Sequence, residues 1–360
     1  MDLVLFGIVL ALLGIGVVMI YSASAVKAMM IYGDSTYFLK RQLLWSAIGL
    51  GGLLVASRVD YRVWARYHLV VLAMGILLLL LVLVPGVGRQ AYGARRWLGV
   101  GPLGFQPSEA MKPAFVVFLA SHLAARREVM GRFWAGMGPA LLVTGACAGL
   151  ILLQPDLGTA VSLCITCAVL LFVAGARVSH LMMVAAGSAP LLYWAVVSEQ
   201  YRLRRVLAFL DPWADPQGAG FHIIQSLYAI GSGGLFGVGL GASRQKFFYL
   251  PAEHTDFIFA ILGEELGFVG GLLVLGLFLV LAWRGYRVAM AAPDLLGCLL
   301  AGGMTSMVVL QALINIGVVT GSLPVTGIPL PLVSFGGSSL VFSLGGLGIL
   351  LSVSRYGWQG

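Results

Sequence analysis

The constraint that outweighs the others in this sequence is a recurrence of apolar runs, each close to the length that crosses a bilayer. About twenty such residues in a helix span the hydrocarbon, where backbone groups must bond to one another. The chain is therefore expected to be an all-α, polytopic membrane protein. Ten spans are predicted: Leu3–Tyr21, Leu43–Ser57, Leu69–Val84, Ala110–Ala124, Gly138–Leu153, Gly158–Ala174, Val178–Val197, Phe257–Trp283, Leu295–Val318 and Leu332–Val353. Hydrophobic residues make up 60% of the 360 and mean hydropathy is +0.98, which leaves no room for a soluble domain. The chain (1–360) reads as one integral membrane domain. An even span count returns the C-terminus to the side of the N-terminus. It leaves one large extracellular loop, 198–256, between the seventh and eighth spans, with an interfacial helix expected near 221–230. SASA at Ser22–Ala25 resembles a leader cleavage site, but Asp2 and the length of the first run favour a retained span.

The net charge is +8, yet no long Lys/Arg run or stripe exists, so nucleic acid is not an expected partner. Anionic lipid and phosphate are better matches. The expected inner turns carry Arg58, Arg62, Arg66, Arg126, Arg127, Arg132, Arg177, Arg284, Arg287 and Arg355, which favours this orientation. The outer side carries a second basic group: Arg89, Arg95, Arg96, Arg202, Arg204, Arg205, Arg244 and Lys246. Cys147, Cys164, Cys167 and Cys298 all sit in apolar runs and read as buried thiols. His68, His122, His180 and His222 have no metal-ligand spacing and read as structural. No internal repeat marks the chain as a secondary transporter.

Against this background the polar stretches stand out. Tyr249–Gly270 places Glu253, His254, Asp256, Glu264 and Glu265 within thirteen residues of a chain that is 10% charged. Charge at the edge of hydrocarbon is costly and usually functional. Asp256 sits at the membrane entrance, either as a helix-terminal acid with Thr255 as cap or as a catalyst. Glu264 lies about 12 Å deeper and either braces a neighbour or serves the site. Glu109 and Lys112, in QPSEAMKP at 106–113, share a helix face; they pair with each other or meet substrate. Asp156, in QPDLGT at 154–159, is a turn or cap residue or a further carboxylate of the same mouth. Arg202 and Arg205 start the large loop and suit bidentate phosphate contacts, as do Arg244 and Lys246 near its end. Gly231–Gly241 permits close backbone approach. In 324–339, three prolines forbid a regular helix, so this segment, Ser334 included, reads as the wall of a groove.

Taken together, QPSEAMKPAF (106–115), QPDLGTA (154–160), QSLYAIGSGGLFGVGLGASRQKFFYLPAEHTDFIFAILGEELG (225–267) and PVTGIPLPLVSFGGSS (324–339) resemble the RodA/FtsW family of shape, elongation, division and sporulation proteins. The likeness runs essentially the whole chain, with Phe335 standing where the family commonly has Tyr. It implies a peptidoglycan glycosyltransferase in the bacterial cytoplasmic membrane, with its active site facing outward. The substrate would be lipid II, a disaccharide-pentapeptide on undecaprenyl diphosphate, and the partner a class B penicillin-binding protein. The family's essential loop acid falls on Asp256, and its acid–lysine pair on Glu109 and Lys112. Asp256 would act as base, with Lys112 and an outer Arg or a divalent cation (Mg2+ or Mn2+) on the diphosphate. PVTGIPLPLVS leans toward RodA and a role in cell elongation and rod shape. The rival reading is a lipid II flippase, which needs a path through the membrane; a bare scaffold would leave Asp256, Glu109 and Lys112 without a reason.

Overall fold

The computed structural model describes residues 1–91, 94–100, 103–246, 251 and 253–357; 247–250 and 252, including Tyr249 of the large loop, lie outside them. The chain is predominantly helical. Its helices are α1 (Leu3–Tyr32), α2 (Tyr37–Arg58), α3 (Tyr61–Arg66), α4 (His68–Leu83), α5 (Pro107–Ala125), α6 (Gly138–Leu152), α7 (Leu157–Val173), α8 (Val178–Val197), α9 (Gln200–Leu210), α10 (Phe221–Gly233), α11 (Ile258–Met290), α12 (Leu295–Val319) and α13 (Gly337–Gly357). Among the described residues, six are long and apolar enough to cross a membrane: α1, α6 with the π-turn before it, α8, α11, α12 and α13. α4 and α7 are shorter apolar helices.

Local signals start and stop these elements. Asp2 caps α1 by accepting from the Val4 and Leu5 N–H groups at 3.0 Å each, and Gly33 ends it in the left-handed region. Pro107 and Pro113 in α5 occupy its first turn and interior, and α5 still buries most of its length. α5, α12 and α13 form the centre, where nearly every side chain is enclosed by protein. α2 lies along α13 through small residues: a Cβ on Gly348 would come within 2.6 Å of the Leu53 carbonyl. Such seams let membrane helices pack by direct backbone approach. α8 is the opposite case, with Ala195 as its sole buried residue.

Three features differ from the sequence expectation. Three short segments, β1 (Arg89–Ala91), β2 (Ala94–Val100) and β3 (Leu103–Phe105), form a small antiparallel sheet in that order. Its strands are too short and glycine-rich to show a period in the sequence. The predicted span Leu332–Val353 does not become helical until Gly337, because Pro324, Pro329 and Pro331 keep the approach irregular. The large loop holds an unexpected helix, α9, and a short turn at Pro212–Ala214, besides α10, which falls on the segment where a helix is expected.

Candidate active site

Asp256 occupies the turn before α11, and its main chain is clamped. Three consecutive carbonyls each receive a donor: His254 from the Phe335 N–H at 2.9 Å, Thr255 from Ser334 Oγ at 2.6 Å, and Asp256 from Asn315 Nδ2 at 2.7 Å. Asn315 also donates to the Ile328 carbonyl at 2.8 Å, and Gln311, one turn earlier on α12, donates to the Pro329 carbonyl at 2.9 Å. The prolines deny 324–335 a helix ladder, so side chains of α12 take up its carbonyls instead. Ser334 is thus buried and spent on backbone, accepting from the Leu330 N–H as well.

The Asp256 carboxylate, by contrast, has no hydrogen bond or ion pair among the described residues. It stays partly accessible beside Gly327, whose Cβ position lies 3.6 Å from Oδ2. Burial pushes its pKa up to about 6; the charges of Arg205, Arg96 and His254 oppose that shift and Asp156 reinforces it. A carboxylate poised near neutrality, with one face free, is suited to proton abstraction.

Glu109 and Lys112 project from α5 into the protein. Lys112 Nζ lies 2.7 Å from Glu109 and donates to Gln311 Oε1 at 2.5 Å. Both are buried, so the lysine's charge is balanced within the protein. Asp156 caps α7, accepting from the Thr159 N–H (3.1 Å), Thr159 Oγ1 (2.9 Å) and Gln106 Nε2 (3.3 Å). It sits close enough to Asp256 to act on its field.

The arginines divide by task. Arg202 is buried and donates to the carbonyls of Ala195 (2.7 Å) and Leu152 (3.4 Å), tying α9 to the ends of α6 and α8. Arg96, on β2, donates to the Gln154 carbonyl at 2.8 Å and to that of Pro155. Arg205 is exposed and reaches the Val325 carbonyl at 3.4 Å. Arg96 and Arg205 are therefore the arginines whose charge meets Asp256. Sequence reasoning counted Arg96 only in the basic group and missed Gln311 and Asn315. Their signal was present: two amides four residues apart in an otherwise apolar helix share one face.

Arg244 and Lys246 belong to a second cluster. Glu264 accepts from the Arg244 N–H (2.8 Å), the Gln245 N–H (3.4 Å) and Ser243 Oγ. Glu265 pairs with Lys246 at 3.1 Å and accepts from Ser22 Oγ. These acids brace the glycine loop where α11 is broken. Gly267 has φ 69° and ψ −166°, which frees backbone groups on either side. The loop supplies them: Val238 and Gly239 donate to the Glu264 and Glu265 carbonyls (3.0 and 3.1 Å). Phe268 and Val269 donate back to Gly234 and Leu235 (2.9 and 3.1 Å). Among the described residues, no three His, Cys, Asp or Glu side chains converge on a metal-ligand arrangement.

The comparisons agree with one another. A family model described as cell cycle protein, covering FtsW, RodA and SpoVE, matches residues 3–358. Stage V sporulation protein E of Bacillus subtilis is 51% identical over 99% of this chain and 97% of its own length. A probable peptidoglycan glycosyltransferase FtsW of Trichlorobacter lovleyi is 44% identical over 98% of this chain and 93% of its own. Among solved structures, one chain from work on the structural coordination of polymerization and crosslinking by a peptidoglycan synthase complex is 36% identical. It superposes with a TM-score of 0.82 over 100% of this chain and 99% of that one. The rod shape determining protein RodA of Thermus thermophilus is 34% identical with a TM-score of 0.72, covering 99% and 97%. With sequence, fold and extent in agreement, the chain belongs to the FtsW/RodA/SpoVE family of cell cycle proteins.

Proposed function

We propose that this protein is a peptidoglycan glycosyltransferase that polymerises lipid II at the outer face of the bacterial cytoplasmic membrane. In this reading ten helices span the bilayer, with 198–256 as the outer loop between the seventh and eighth. The observation that carries it is Asp256: a carboxylate raised toward neutrality, free of protein partners among the described residues, and held by a clamped main chain.

Asp256 takes the proton of the attacking sugar hydroxyl. That oxygen's electron pair forms the new bond to the anomeric carbon, whose bond to the lipid diphosphate breaks. The electron pair leaves with the diphosphate, which needs no proton. Direct displacement inverts an α-linked donor to a β-linked glycan. Arg205 and Arg96 supply positive charge beside the departing group. Lys112 acts at one remove, because Glu109 and Gln311 hold it. Where a divalent cation (Mg2+ or Mn2+) takes part, Asp256 is the carboxylate open to it, Asp156 being saturated, and substrate phosphates would complete its shell as Mg2+ commonly requires. It would neutralise charge on the leaving diphosphate.

The partner proposed is a class B penicillin-binding protein, supported by the synthase complex to which one matching structure belongs. The RodA-like text at 324–334 supports a role in elongation and rod shape. A second reading, in sporulation, is favoured by the 51% identity to a stage V sporulation protein.

The test is glycan polymerisation from purified lipid II by wild type and Asp256→Asn, each with and without the partner and a divalent cation. Long strands from wild type and none from a folded Asp256→Asn protein support the proposal. A wild type that makes no polymer in any combination yet moves lipid II across vesicles replaces it with the flippase.

A further inference from the structure

Arg244 is an oddity that the site above does not absorb. Its N–H is bonded to Glu264, yet its guanidinium is exposed and has no carboxylate or carbonyl partner among the described residues. Arg284 pairs with Asp2 at 2.7 Å, beside the exposed Trp283, and marks one membrane boundary. The break at Gly267 lies seventeen residues earlier on α11, about 25 Å along the helix and close to the thickness of the hydrocarbon, and Glu264 lies just beyond it. Glu264 and the bonded Arg244 therefore sit where the phosphates of the other leaflet lie. Just beside them Leu235, Phe236, Val238 and Leu240 are exposed, as lipid-facing residues are.

A groove of about 770 Å³ opens at this level, lined by Leu227, Tyr228 and Ser232 of α10 together with Arg244, Gln245 and Glu264. It is not the Asp256 cleft. His222 marks the cleft side of α10, stacking on Phe257 next to Asp256. Leu227 and Tyr228 are turned from His222 by roughly 140° and 120°, and Ser232 by roughly 80°, at 100° per residue; Asp256 is not among the residues lining the groove. Glu264 at the base is already saturated by three donors, so it does not compete for Arg244. A second observation points into the same groove. Gln245 lines the groove, and its Oε1 is buried beneath the groove surface without a hydrogen-bond partner among the described residues. Turning that amide over places an N–H2 donor in the same position, which meets a phosphate oxygen once the Gln245 side chain swings toward the groove.

We propose that this groove is a second lipid site, in which Arg244 and Gln245 hold the phosphate of an anionic lipid while its chains lie along Leu227, Tyr228 and the exposed 235–240 tip. The ligand class is a phosphate ester on a long hydrocarbon chain. A membrane glycerophospholipid and a prenyl diphosphate share that chemistry. The site rests on the membrane reading of α11 alone and stands whether or not Asp256 is a catalytic base.

The test uses the full-length protein in nanodisc or detergent and reads lipid binding by native mass spectrometry. The probes are dioleoylphosphatidylglycerol, dioleoylphosphatidylcholine and undecaprenyl diphosphate, on wild type, Arg244→Gln and Arg204→Gln. Arg204 is an exposed arginine outside the groove and serves as the charge control. Arg244→Gln keeps the backbone bond to Glu264, so the loop fold is retained, and an unchanged melting temperature verifies that. Loss of one bidentate charge-assisted contact should weaken binding about tenfold for at least one anionic probe. Arg204→Gln should leave it unchanged, and phosphatidylcholine should bind more weakly than phosphatidylglycerol throughout. The probe that responds identifies the source of the phosphate. Equal binding of both anionic probes by wild type and Arg244→Gln, or equal losses in the two variants, overturns the site. Asp256→Asn separates the two proposals, since it should abolish polymerisation and leave the Arg244-dependent binding intact.

Discussion

At the scale of single residues, Asp256 carries opposed requirements. Its pKa is raised from 3.8 to about 6, so the native state favours the protonated form. Well below its ordinary pKa, at about pH 3 and under, the group is neutral in both folded and unfolded chains and contributes nothing. As pH rises toward 6 the unfolded chain ionises first, and the native state loses stability, on the order of 1–3 kcal/mol by neutral pH. Asp256→Asn should therefore raise the melting temperature at pH 7.5 and lose that advantage by about pH 3, while abolishing polymerisation. The wild-type kcat/KM should fall about tenfold per unit below pH 6, as the base becomes protonated. Asn315 is the neighbour whose loss should be felt most. Asn315→Ala removes the donor from the Asp256 and Ile328 carbonyls. A misplacement near 1 Å costs on the order of 100-fold in rate, and kcat should drop by that order with KM little changed. Asp256 was legible in the sequence as an acid at a membrane entrance. That Ser334 holds the Thr255 carbonyl and Asn315 the Asp256 carbonyl was not, because donor and acceptor lie 79 and 59 residues apart.

Among elements, the helices were legible because each apolar run is its own signal, whereas the sheet at 89–105 and the broken α11 depend on partners distant in sequence. Gly267 holds α11 in a conformation that side chains rarely adopt, and a Cβ there would come within 2.3 Å of the Gly237 backbone nitrogen. Gly267→Ala should therefore unfold the loop contact, lowering thermal stability by several degrees and exposing 234–241 to proteolysis. The Glu109–Lys112 pair tests the joint between α5 and α12. Lys112→Met alone strands a buried carboxylate and should cost about 3–5 kcal/mol, and the double variant Glu109→Gln/Lys112→Met should recover most of it. A thermal-melt cycle in detergent measures both.

For the whole molecule, packing is graded from an enclosed α5–α12–α13 centre to α8, which touches its neighbours so little that only Ala195 is buried. Truncations on α8 such as Leu191→Ala or Met182→Ala should change stability by about 0.5 kcal/mol or less, while Leu344→Ala in α13 should cost about 2–5 kcal/mol. Composition foretold a membrane bundle but could not rank its helices, since lipid-facing and protein-facing leucines look alike in sequence. The break at Gly267 also bears on how the protein is made. Residues 234–239 leave the ribosome before 264–269, so the segment that fills the gap is already made when the gapped helix enters the translocon. A gene split between codons 241 and 258 would sever that order. Its two halves should assemble only when co-expressed, because the second alone would offer the bilayer a helix with open backbone groups.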